Sequence, residues 1–126
     1  MDMATRINSE ADTETDTAAG TWLDVCSSDD ILANTGVCAR LAGRHVAIFK
    51  LAEDQFHAID NVDPRSGASV LSRGLVGNLG AHTVVASPLY KNHFDLHTGA
   101  CLETPEHSVT VHAVRVENSR VLVQLT

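Results

Sequence analysis

From Thr21 onward the chain is a succession of short β-forming runs, each closed by turn residues before it could complete a long helix. Thr21–Cys26 is a predicted strand carrying the only tryptophan, and Ser28-Asp29-Asp30-Ile31-Leu32 has the form of a capped helical turn. Gly36–Leu41 and His45–Leu51 are β-rich and are separated by Ala42-Gly43-Arg44, which predicts a hairpin. Ala52-Glu53-Asp54-Gln55 is the next expected turn, and Phe56–Ile59 a further strand. The pattern is that of an antiparallel meander.

Between Asn61 and Ala81 the alternation loosens. Gly67, Gly74, Gly77 and Gly80 interrupt the apolar residues, so a packed loop region with short structured pieces is expected there. Strands resume at Thr83–Ala86, His93–Leu96 and Ala100–Glu103, with a turn at His97-Thr98-Gly99. Val109–Glu117 and Arg120–Leu125 form a closing hairpin across Asn118-Ser119. In the first of these, Val109, Val111 and Ala113 keep one phase while Val114 and Val116 keep the other, which predicts a β-bulge within that strand. The fold class is all-β, an antiparallel sandwich of many short strands.

Charge divides the chain unevenly. Net charge is −7, but residues 1–20 hold Asp2, Glu10, Asp12, Glu14 and Asp16 against Arg6, leaving −3 for the rest. That segment is expected to be a disordered acidic tail, with one β domain over residues 21–126. No basic stripe suggests nucleic acid as a partner. No apolar run approaches the ~20 residues of a membrane helix, and the N-terminus lacks the form of a secretory signal, so a cytoplasmic location is expected.

Cys26, Cys38 and Cys101 form no Cys-x-x-Cys pair and are odd in number, which predicts buried, reduced thiols rather than a disulfide framework or zinc site. His93, His97 and Cys101 recur at four-residue intervals, yet would share a face only on a helix, and Thr98-Gly99 points to a turn. No Ser-His-Asp, Cys-His or paired-carboxylate arrangement stands out, which leaves a catalytic reading without a centre.

Two segments carry a more specific signal. Asn61-Val62-Asp63-Pro64-Arg65 and Ser87-Pro88-Leu89-Tyr90, the latter followed by Phe94-Asp95-Leu96-His97-Thr98-Gly99, resemble the two loops of a Rieske iron–sulfur centre. Those loops hold their cluster through Cys-x-His and Cys-x-x-His. The four corresponding positions here are Asp63, Arg65, Ser87 and Tyr90. Hard oxygens, a permanent cation and a phenol do not replace thiolate and imidazole, so no metal ligand is expected at this site.

With these loops, Trp22-Leu23-Asp24-Val25-Cys26, Asn34-Thr35-Gly36-Val37, Ala58-Ile59-Asp60-Asn61-Val62-Asp63-Pro64 and Val70-Leu71-Ser72-Arg73-Gly74 follow in order. Together they resemble the small subunit of the NAD(P)H-dependent, sirohaem-containing nitrite reductases, from about Trp22 to Val123. The resemblance implies a Rieske-like β-sandwich whose loop-rich subdomain, about residues 61–98, has lost its cluster. It implies a non-redox accessory chain with no cofactor of its own. Its partner would be a large subunit that carries FAD, an iron–sulfur cluster and sirohaem and reduces nitrite to ammonium.

By position in a Rieske centre, Asp63 faces Ser87 and Arg65 faces Tyr90. A hydrogen bond and a stacking contact are therefore expected to replace part of the metal's staple between the loops. Equally, Asp63-Pro64 and Ser87-Pro88 fit ordinary turns, with Arg65 and Tyr90 at exposed tips. Asp63, Arg65, Ser87, Tyr90, Lys91 and His93 are the candidate docking residues, with Lys91, Asn92 and His93 exposed beside the second loop. The alternative is a stand-alone Rieske-like interaction module serving another oxidoreductase. A ferredoxin-type carrier would need the four absent ligands.

Overall fold

A computed structural model describes residues 21–52 and 55–126. The expected N-terminal tail and part of the turn at residues 52–55 lie outside the described residues. Among the described residues, nine strands form two antiparallel sheets: β1 (Trp22–Ser27), β2 (Thr35–Leu41), β3 (Arg44–Lys50), β4 (Phe56–Asp60), β5 (Leu75–Leu79), β6 (His82–Ala86), β7 (His93–Asp95), β8 (Val111–Glu117) and β9 (Arg120–Gln124). The larger sheet has the order β1-β9-β8-β4-β3-β2, and the smaller β5-β6-β7.

Turn chemistry sets the hairpins. Ala42 and Gly43 both have positive φ, as do Asn118 and Ser119, so each two-residue connection has the twist that suits a tight hairpin. After β1 comes a single 3-10 turn, Ser28–Asp30, closed by a reciprocal cap. The Ser27 hydroxyl accepts from the Asp29 backbone N–H, and the Asp30 carboxylate accepts from that of Ser27.

Both faces of the large sheet are covered. Val46 and Ile48 of β3 join Ile31, Ala58, Val121 and Val123 in one cluster, while Ala47 and Phe49 of the same strand join Ile59, Leu71, Val85, Phe94 and Leu96 in another. The second cluster fills the space between the two sheets. Each Phe, Ile or Leu fully buried there is worth about 1.5–3 kcal/mol relative to exposure.

The two-faced core corrects three expectations. The phase change in β8 is not a bulge: Val111 packs on one cluster and Val114 on the other, and the pairing with β9 runs without a shift. The bulge lies instead in β1, where Val121 pairs with Cys26 and Leu122 with Asp24, leaving Val25 as the extra residue. It allows adjacent Val25 and Cys26 to pack against the same cluster. Leu75–Leu79 is an edge strand, not loop, because its register with β6 accepts Gly77 opposite Val84. Ala100–Glu103 is no strand and makes only a Phe94–Cys101 bridge, since the His93 and Ala100 N–H groups that would extend the ladder donate instead to Glu103 Oε1 at 2.8 Å and Thr98 Oγ1 at 3.2 Å.

Candidate functional site

The loop after β4 is organised by Asn61, which is almost fully buried. Its side-chain amide donates to Ser69 Oγ at 2.7 Å, and its Oδ1 accepts the Ser72 N–H at 2.6 Å. Its carbonyl accepts the Val70 and Leu71 N–H groups, folding the 3-10 turn Leu71–Arg73 back onto the loop. Sequence reasoning assigned Asn61 no role. Its only advance signal is a turn-forming residue directly after a strand.

Asp63 follows, with no exposed surface. One carboxylate oxygen accepts the Arg65 N–H at 2.9 Å, and the other accepts the Ser87 hydroxyl at 2.6 Å. Ser87 is equally buried and opens the β6–β7 loop, where its Oγ also accepts the Leu89 N–H. Residues 24 apart in sequence are thus joined by one short hydrogen bond between loops. Beside it the Arg65 guanidinium carbon lies 4.4 Å from the centroid of the Tyr90 ring. Both expected pairs are in contact. Each loop also has the ordinary turn chemistry of the alternative reading, so the two readings coexist.

Not every candidate is free at the tip. Lys91 is exposed and adopts φ +60, whereas Asn92 is buried, contrary to expectation. The chain reverses at Lys91, whose N–H donates to the Ser87 carbonyl while the Asn92 carbonyl accepts the Ser87 N–H, and this turns Asn92 inward. His93 is half-buried and committed to Glu103, which accepts from its backbone N–H at 2.8 Å and lies 2.6 Å from its Nδ1. Burial works against Glu103 ionising, but the His93 backbone and ring contacts outweigh it and hold the carboxyl below its usual range.

The turn after β7 is anchored in a similar way. Asp95 Oδ1 accepts the His97 and Thr98 N–H groups, and Oδ2 lies 2.6 Å from His82 Nδ1. Burial again opposes ionisation and these contacts prevail, so the Asp95 carboxyl is lowered. His97 meets His57 edge to face at 4.6 Å rather than joining His93 and Cys101, in keeping with the turn. Among the cysteines Cys101 is buried, Cys26 is half-buried with its thiol pushed up to about 11 by burial, and Cys38 is exposed. Cys38 corrects the expectation of buried thiols: it lies on β2, an edge of the large sheet.

The Rieske-like [2Fe-2S] domain family matches residues 21–124. The NADH nitrite reductase small subunit of Escherichia coli K12 is 46% identical over 101 residues, 79% of this chain and 94% of that protein. The chain belongs to the Rieske-like family of nitrite reductase small subunits. The solution structure of the E. coli protein NirD superimposes with a TM-score of 0.76 at 45% identity, covering 82% of this chain and 94% of that one. A segment 42% identical to this chain, over 81% of its length, makes up 11% of the NAD(P)H nitrite reductase large subunit of Klebsiella oxytoca.

The family name raises the question of a cluster, and the residues present do not fit one. At the positions that the resemblance gives to ligands stand two oxygen side chains bonded to each other and a guanidinium stacked on a phenol ring. None supplies the thiolate or imidazole that such iron requires. Among the described residues, no group of three or more His, Cys, Asp or Glu side chains is placed to hold a metal ion. No helix among them is long and apolar enough to cross a membrane.

Proposed function

We propose that this chain is a non-redox accessory subunit of NAD(P)H nitrite reductase. It docks on the large subunit through residues 63–67 and 87–93 and supports the six-electron reduction of nitrite to ammonium there. The large subunit carries the FAD, iron–sulfur cluster and sirohaem that the resemblance implies, and the complex is cytoplasmic. The observation that carries this reading is the loop pair itself. A Ser87–Asp63 bond and an Arg65–Tyr90 stack hold together, without metal, the two loops that a cluster would otherwise join.

Docking at this end is supported by what the loops present. Leu89 is 51% and Tyr90 50% exposed on a framework fixed by buried hydrogen bonds, and rigid exposed loops of this kind favour recognition. In the Klebsiella protein the matching segment and the large subunit are one polypeptide, which favours one small subunit per large subunit.

NADH-dependent nitrite reduction by the purified large subunit, measured with and without this chain, tests the proposal. Iron content and visible absorbance are measured on the chain alone. An iron-free chain that raises or stabilises the partner's activity supports it. Stoichiometric iron with Rieske-type absorbance, or no effect on the large subunit, overturns it.

A further inference from the structure

We propose that the loop end is a basic docking face, anchored by the Arg65–Tyr90 stack, that recognises an acidic surface on the nitrite reductase large subunit. This rests on the docking reading above and adds the chemistry of the surface being met.

Charge is segregated in this molecule. Residues 21–126 have a net charge of −3, yet Asp63 is the only carboxylate between residues 61 and 94. It is buried and bonded to Ser87 and to the Arg65 backbone. The same stretch contributes Arg65, Arg73 and Lys91, all exposed, and none has an ion-pair partner among the described residues. Arg40 joins them: it pairs across β2–β3 with His45, whose ring contacts Ser69 and whose carbonyl accepts the Asn61 N–H. Three arginines elsewhere are matched by carboxylates. Arg44 meets Asp60, Arg115 meets Glu117 and Arg120 meets Asp24.

Carboxylates that border this stretch or bond to it are engaged elsewhere. Asp60 is shared between Arg44 and His112, Asp95 lies against His82, and Glu103 is held by His93. What remains is a positive surface on an acidic protein, an arrangement that orients a molecule as it approaches a negative partner.

Apolar groups lie on the same loops. Val62, Leu89 and Tyr90 are between 39% and 51% exposed, and the Arg65 guanidinium covers the Tyr90 ring. Tyrosine and arginine dominate binding energies when they become desolvated within a polar rim. The anchor is formed before any partner arrives, because the Ser87–Asp63 bond already fixes the two loops against each other. Less ordering is then required at association.

The test follows association of the full chain with purified large subunit across a salt series. Wild type should associate more slowly as salt rises. Arg40→Gln/Arg73→Gln/Lys91→Gln should associate about tenfold more slowly at low salt, with a flatter salt dependence. Arg115→Glu, a charge change on β8, should behave as wild type. Arg65→Ala/Tyr90→Ala should raise the dissociation rate with little change in association.

If wild type does not bind at any salt, the docking reading falls and this proposal with it. If wild type binds but the triple variant matches it at every salt, while Arg65→Ala/Tyr90→Ala weakens binding, docking stands and the acidic partner surface is refuted. Self-association of the isolated chain that the triple variant abolishes would make a second copy the occupant and also overturn the proposal.

Discussion

Removing the Ser87 hydroxyl should loosen the loop subdomain by an amount the structure allows to be worked out. In Ser87→Ala the Asp63 oxygen loses a 2.6 Å donor, and because Asp63 has no exposed surface, water cannot take that donor's place without the loops parting. A hydrogen bond to a carboxylate contributes about 1.5–3 kcal/mol, and a buried acceptor left unpaired incurs a desolvation cost of similar size. The expected loss is about 2–3 kcal/mol. For a domain of this size each kcal/mol moves Tm by about 4–8 °C, so a fall of about 10 °C or more is expected. Asp63→Ala also forfeits the bond to the Arg65 N–H and should lose somewhat more. The double variant isolates the contact: a coupling energy of about 1.5–2.5 kcal/mol is expected from urea unfolding followed by fluorescence of Trp22, the only tryptophan. A coupling below about 0.5 kcal/mol would refute the idea that this bond holds the loops together.

Tyr90→Leu should cost less than about 1 kcal/mol in the same unfolding assay, because the Arg65 stack is half-exposed; a loss above about 2 kcal/mol would mean the ring has a structural role. Gly99→Ala should be severely destabilising, by about 2 kcal/mol or more, since φ is +81 and a Cβ would overlap the Val109 carbonyl oxygen; a variant melting like wild type would contradict this geometry. Stability should fall with pH in two stages, read from urea midpoints. Burial, then His97, lowers the His57 pKa, so neutral His57 favours the fold above about pH 6.5 and that contribution declines as pH drops below it. The lowered Asp95 and Glu103 carboxyls contribute stability above about pH 4 that is lost as pH falls through their folded values. His57→Gln should remove the upper stage alone, and an unchanged upper stage would show that another group titrates there.

Local chemistry made some of this structure legible in the chain. Ala42-Gly43 and Asn118-Ser119 mark their hairpins because few residue pairs tolerate consecutive positive φ. The Asp63–Ser87 and Arg65–Tyr90 pairs were legible because the resemblance supplied the geometry of two loops meeting around one centre. The position of the bulge was not legible, since a phase change reads alike whether a strand is bulged or packs on both faces. Only the two clusters on opposite sides of the sheet separate those cases. Leu75–Leu79 escaped because an exposed edge strand with Gly77 at its centre lacks the alternation that burial imposes.

The sequence by itself determined the all-β class, the hairpin turns and a donor set unsuited to iron, because these depend on residue type and near neighbours. Tertiary structure alone decided that Asn61 would organise the first loop, that His93 would be taken by Glu103, and that Arg65, Arg73 and Lys91 would stay exposed with no ion-pair partner among the described residues. These are relations across strands and loops. Register and burial fix them by choosing which polar groups must pair within the protein and which remain on its surface for a partner.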